Sequence, residues 1–178
     1  MNLFATYSDL RRLSAEVDGR VLLEKAASKA ETKTVFLSHS SKDNDLLPGV
    51  ISVLEANGGR VYADVGDPEL PKSDFTEVAD RLRSAVRLCA RFVLLVTPRT
   101  KDSVWIPWEL GLGDGVHGDP HVALFPSAES STEKEWSERE FLGLYQRIIW
   151  GNFEGKQPEW LVFNHLTNTA MPLRAWLN

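Results

Sequence analysis

The sequence predicts an α/β fold built on one parallel β-sheet with helices on both faces. Two observations carry this. Short β-rich runs without polar alternation recur at residues 34–38, 60–65, 91–97 and 121–125, as strands buried on both faces require. Between them lie segments whose apolar residues repeat at helical spacing, and a strand–helix–strand order closes as right-handed crossovers into one sheet. The 178 residues suffice for one domain with a sizeable core.

Taken in order, residues 1–33 read as an N-terminal helical extension and residues 34–178 as the main domain. In the extension Leu10, Leu13, Val17, Val21, Leu22 and Ala26 form a rough helical stripe weakened at Gly19. It is expected to hold one or two helices packed on the domain, a partner-binding helix being the alternative. The first strand, Val35-Phe36-Leu37-Ser38, runs into a polar loop, His39-Ser40-Ser41-Lys42-Asp43. The helix that follows, over 44–57, carries Leu46, Leu47, Val50, Ile51 and Leu54 and is stopped by Asn57-Gly58-Gly59. The second strand leads into a Gly- and Pro-punctuated loop, 66–73. A helix over 74–87 then presents Phe75, Val78, Leu82, Ala85 and Val86 on one face. The third strand is closed by Pro98. After the fourth, the serine-rich acidic stretch 127–140 reads as a loop or exposed helix and 147–150 as a fifth strand. The tail from 158 to 178 reads as a final helix interrupted by Pro172.

Composition excludes several functions. A net charge of −5 without any Lys/Arg run argues against nucleic acid as the main partner. Cys89 is the only cysteine, so an intrachain disulfide and a cysteine-based zinc site are impossible. Its place ahead of an apolar strand makes it a buried, inert thiol. No segment approaches the ~20 apolar residues of a membrane span, and no signal peptide opens the chain, so a cytoplasmic protein is expected. His117 and His121 flank Gly118 and Pro120, but with neither cysteine nor a clear carboxylate partner no metal is expected there.

One stretch demands a chemical explanation: Ser103-Val104-Trp105-Ile106-Pro107-Trp108-Glu109. A carboxylate among tryptophans is costly to desolvate unless it is paired or has work to do. Pro107 suits the first turn of a helix, which places Glu109 in that turn. There the helix dipole favours ionisation while the rings oppose it, and a plain helix-start glutamate with tryptophans as core anchors is the structural alternative. Ligands of open α/β sheets bind outside the carboxyl ends of the strands. By that rule the loop 38–43, the loop 64–74 and the stretch 103–109 converge on one cleft.

Together, Val35-Phe36-Leu37-Ser38 with His39-Ser40-Ser41-Lys42-Asp43, Val61-Tyr62-Ala63-Asp64 with its proline-containing loop, and Ser103-x-Trp105-x-x-x-Glu109 resemble the Toll/interleukin receptor (TIR) domain over residues 34–150. Within that family the chain resembles the bacterial standalone type of Thoeris-like antiphage defence. The resemblance implies a flavodoxin-like three-layer sandwich with a five-stranded parallel sheet. It also implies NAD as substrate, with no separate cofactor: Glu109 would be catalytic, and Ser103, Trp105, Ser38, His39, Ser40, Lys42, Asp43 and Asp64 would bind the nucleotide. Cleavage would release nicotinamide and leave ADP-ribose or a cyclic ADP-ribose-type signal for a downstream effector. Other TIR protomers would dock through the loop 65–74. There the chain departs from the family, with Pro71-Lys72 where many relatives have Pro-Gly. With no fused sensor or effector region, trigger and output are expected to be separate molecules. The alternatives are a non-catalytic TIR–TIR scaffold module and a nucleoside (deoxy)ribosyltransferase-like enzyme. Gly111-Leu112-Gly113 begins the spacing of a phosphate fingerprint, but inside a helix, the wrong context for one.

Overall fold

The computed structural model of the chain describes residues 4–28, 32–65, 75–103, 105–130 and 140–178. Five strands run parallel: β2 (Val35–Ser38), β3 (Val61–Ala63), β4 (Arg91–Val96), β5 (Val122–Ala128) and β6 (Gln146–Gly151), in the spatial order β3-β2-β4-β5-β6. This is the doubly wound order of a flavodoxin-like sheet. Pleating sorts the side chains: Val35 and Leu37 enter the core on one face, while Phe36 enters the core on the other. The first face is covered by α1 (Tyr7–Ala15), α2 (Gly19–Ala27) and α3 (Leu47–Ala56), the second by α4 (Phe75–Leu88) and α5 (Trp105–His117).

The sheet is wider than the five expected strands. β1 (Ala5–Thr6) pairs parallel with the end of β5, and two antiparallel strands, β7 (Glu159–Asn164) and β8 (Thr169–Pro172), extend the β6 edge. The expected final helix in the tail is present but short, confined to residues 173–177, and the rest of the tail is mainly strand. Asn164 Oδ1 accepts from the amides of Leu166 and Thr167, and Asn168 takes a left-handed φ of 52°, so the chain reverses as a hairpin. Pro172 does not interrupt a helix; it precedes one, α6 (Leu173–Leu177).

The two N-terminal helices divide at Gly19, the first residue of α2, with Asp18 accepting from the Val21 amide as its cap. Thr6 and Asp9 form a reciprocal capping box that starts α1 beside the sheet. Helix α1 packs against α3 so closely that a Cβ at Gly49 would lie 2.3 Å from the Leu10 carbonyl oxygen. Residues 66–74, including Pro71-Lys72, and residues 131–139 of the acidic stretch lie outside the described residues. Among the described residues, no helix is long and apolar enough to cross a membrane.

Candidate active site

At the carboxyl end of the parallel strands the loop after β2, Asp64 just past β3, and the stretch from Ser103 into α5 line a cleft of about 420 Å³. Its wall is set by helix α5. Ser103 Oγ accepts from the Ile106 amide at 3.4 Å, so the helix begins at Trp105, ahead of Pro107. Pro107 is then its third residue, where a missing N–H costs nothing because the first four helical donors lack partners. Glu109 is consequently the fifth helical residue, at the start of the second turn and not in the first as expected, because Ser103 and not Pro107 sets the helix start.

Glu109 reaches toward the sheet. Ser38, the last residue of β2 and only 2% exposed, donates its hydroxyl to Glu109 Oε2 at 2.5 Å. Among the described residues this is the hydrogen-bond partner the carboxylate has, and it enters no salt bridge with a guanidinium or ammonium. Burial pushes the Glu109 carboxyl up to about 7; the Ser38 hydrogen bond opposes the rise and the negative charge of Asp64 adds to it. Asp64, just past β3, takes both its oxygens to Arg81 Nη2, at 3.0 and 3.3 Å, which fixes it at the cleft rim.

The remaining expected residues fall into two groups. His39, Ser40, Lys42, Asp64, Ser103 and Trp105 line the cleft with Glu109. His39 is half-buried, and that burial pushes its imidazole below the usual range, against hydrogen bonds to the Leu37 backbone and to Asn44. It therefore meets a ligand neutral at pH 7. Trp105 presents its ring to the cleft and packs edge-to-face on Trp108, with centroids 5.5 Å apart; Trp108 in turn lies under the Arg83 guanidinium.

Ser38 and Asp43 do not line the cleft. Ser38 lies beneath Glu109, and Asp43 is 0% exposed. The Asp43 carboxylate accepts from Thr97 Oγ1 at 2.9 and 3.1 Å, 3.7 Å from Arg99 Nη1. A direct contact between Asp43 and substrate is thus corrected: the residue ties the loop after β2 to the turn after β4. From Arg99 the network continues to Asp45 at 2.8 Å and on to Arg11 of α1. Arg99 also stacks 4.7 Å above the Tyr7 ring.

Ser41, within the expected loop 38–43, also lines the cleft, and Asn44, Val78 and Leu82, which were not anticipated, complete it. Val78 and Leu82 stand i, i+4 on the apolar face of α4, a pattern that reads identically whether the face meets a core or a cleft. Only Asn44 carried a signal, as a polar residue directly following the loop.

Elsewhere the titratable groups have ordinary tasks. His117 Nε2 lies 3.0 Å from the Val86 carbonyl and His121 Nδ1 3.0 Å from the His117 carbonyl. Among the described residues no group of three His, Cys, Asp or Glu side chains is placed to hold a metal. Burial pushes the Cys89 thiol up to about 12, so it is not a nucleophile. A second cavity of about 330 Å³ is walled by Phe4, Trp150 and Trp160, but its acid, Asp9, is engaged by the Thr6 cap.

What the cleft offers is a half-buried carboxylate that, among the described residues, enters no salt bridge, a neutral imidazole and an aromatic wall. Such an arrangement suits a substrate that develops positive charge beside the carboxylate. Comparison with known proteins gives two findings. A family model described as TIR domain matches residues 35–160. A probable 3′ cyclic ADP-D-ribose synthase, ThsB′, of Bacillus cereus (strain MSX-D12) is 30% identical over 145 residues, covering 80% of this chain and 74% of that protein.

Proposed function

The chain belongs to the TIR domain family, of the bacterial Thoeris type, and from the chemistry of its cleft we propose that it cleaves NAD at the bond between nicotinamide and ribose. The observation that carries this reading is the Glu109 carboxylate, which faces a cleft and, among the described residues, is held by the Ser38 hydroxyl and enters no salt bridge. Nicotinamide in NAD is already a cationic pyridinium, so it departs with the bonding electron pair as a neutral molecule and needs no general acid. The ribose left behind becomes oxocarbenium-like, and ionised Glu109 stabilises that charge and accepts from the ribose hydroxyls. This explains why one acid serves where ordinary glycosidases need two. Trp105 walls the nicotinamide side by stacking, while His39, Ser40 and Lys42 of the loop after β2 meet the rest of the nucleotide.

Water attacking the ribose gives ADP-ribose; an internal nucleophile of the same nucleotide, losing its proton instead, gives a cyclic product. The cyclic ADP-D-ribose synthase activity for which the Bacillus cereus relative is named supports the cyclic outcome. In this reading the product is a diffusible signal for a separate effector in cytoplasmic antiphage defence, and TIR protomers assemble through the loop 65–74 to complete active sites.

The test is to incubate concentrated protein with NAD, with and without crowding agent, follow nicotinamide release and identify the nucleotide product by mass spectrometry. Wild type is expected to release nicotinamide, and Glu109→Gln and Glu109→Ala to release none. Equal release by all three overturns the role of Glu109. Turnover of deoxynucleosides with none of NAD assigns the site to deoxyribosyl transfer. TIR–TIR complexes that survive Glu109→Ala, with no turnover once assembled, identify a scaffold.

A further inference from the structure

We propose that Ser38 and Gly113 are positioning residues for Glu109: the glycine lets α5 lie close enough to the sheet for the serine hydroxyl to hold one carboxylate oxygen, leaving the other for substrate. This rests on Glu109 being the reacting carboxylate.

The argument begins with the sheet surface. Phe36 and Ser38 are two residues apart in β2 and so share a face, the one that α4 and α5 cover. Phe36 stacks on Phe92 of the neighbouring strand with ring centroids 5.4 Å apart and planes 12° from parallel. That aromatic pair is the floor on which α5 rests. Gly113 stands four residues after Glu109, on the same helical face. A Cβ built at Gly113 would lie 2.6 Å from the Phe92 ring, closer than side chains approach. Phe92 is fully buried and stacked, so it has no free space to retreat into. Any side chain at 113 therefore lifts this part of α5, and Glu109, one turn away, rises with it. Ser38 sits on a strand and cannot follow, so its 2.5 Å hydrogen bond is the contact that opens.

Two further glycines of the same helix act as internal controls. Gly111 and Gly115 are exposed, and a Cβ at either meets nothing within 4 Å. Alanine there changes helix propensity as it does at 113, but leaves the helix where it is.

Carboxyl ¹³C NMR of protein labelled at glutamate reads the Glu109 titration directly and without turnover, its signal being assigned by its loss in Glu109→Gln. Removing a donor to the ionised form in Ser38→Ala is expected to raise the Glu109 pKa by about one to two pH units. Gly113→Ala moves it in the same direction, and Gly111→Ala leaves it unchanged. For NAD cleavage, kcat of Ser38→Ala at pH 7 falls by about fivefold or more and recovers at higher pH, a shift that mere loss of stability does not produce. An unshifted Glu109 in Ser38→Ala, or equal shifts in Gly111→Ala and Gly113→Ala, overturns the proposal. If the titrations shift as stated while wild type releases no nicotinamide, the NAD reading falls and the positioning role stands.

Discussion

Two carboxylates, Asp43 buried and Glu109 half-buried, lie close to the carboxyl ends of the parallel strands, and they have opposite fates. Asp43 is withdrawn from solvent entirely, yet it is answered by the Thr97 hydroxyl at two oxygens and by the Arg99 guanidinium. Burial still pushes it up to about 6, with Thr97 and Arg99 acting against the rise. Glu109 opens on the cleft with, among the described residues, the Ser38 hydroxyl as partner and Asp64 as an unfavourable neighbour, and burial pushes it up to about 7. Burial alone therefore does not separate structure from chemistry. The difference lies in what answers the charge: a matched acid locks two loops together, and an unmatched one stays available to a cationic transition state.

The largest expected effect divides the pair by activity. Glu109→Gln should lower NAD cleavage by about 10³-fold or more, of order 4 kcal/mol in barrier, whereas Asp43→Asn, which still accepts from Thr97, should stay within about threefold of wild type. Equal losses in the two variants would erase the contrast.

Next is pH. Because the ionised form of Glu109 does the work and its pKa is about 7, turnover should fall about tenfold per pH unit below that value and level off above it. A profile falling only below pH 5 would mean that the reacting carboxylate is not a buried one.

Stability should reverse the ranking. An acid whose folded pKa is raised above the unfolded one favours folding below the unfolded value, and that advantage is lost as pH rises through the folded value. For Glu109 the window runs from 4.5 to about 7, and for Asp43 from 3.8 to about 6. Glu109→Gln removes the cost of ionising and should unfold later than wild type at pH 8, by about 1–3 kcal/mol, with the gap vanishing near pH 4. Asp43→Ala strips Thr97 and Arg99 of their acceptor and should lose about 2–3 kcal/mol, several degrees in Tm. Thermal melts of both variants across pH 4–8 check this. The smallest effect belongs to the outer end of the Asp43 network. Arg11 and Asp45 are both substantially exposed, so Arg11→Ala should cost no more than about 1 kcal/mol in denaturant titrations.

The parallel sheet was legible because strands buried on both faces leave unbroken apolar runs, and Arg91–Val96 shows this most plainly. Loop convergence followed from topology, which is why His39, Asp64 and Glu109 could be placed together from positions far apart in sequence. The β7–β8 hairpin escaped because Leu161 and Val162 are both buried while β8 is largely exposed, leaving neither strand with period-two alternation. Asp43 read as a loop residue open to substrate, since nothing in Ser-Lys-Asp announces that the turn folds inward beneath Thr97. Gly113 was visible only as part of a phosphate fingerprint in the wrong context. Its actual constraint, the Phe92 ring, comes from another strand. The Ser38–Glu109 bond spans 71 residues and has no local signature at all.

The central claim is that the unmatched carboxylate in the cleft performs the reaction. Its most direct test is the pH–rate profile of nicotinamide release from NAD, measured in parallel for wild type, Glu109→Gln and Asp43→Asn. The account predicts half-maximal turnover near pH 7 for wild type and Asp43→Asn, and none at any pH for Glu109→Gln. Wild-type turnover by Glu109→Gln would contradict it.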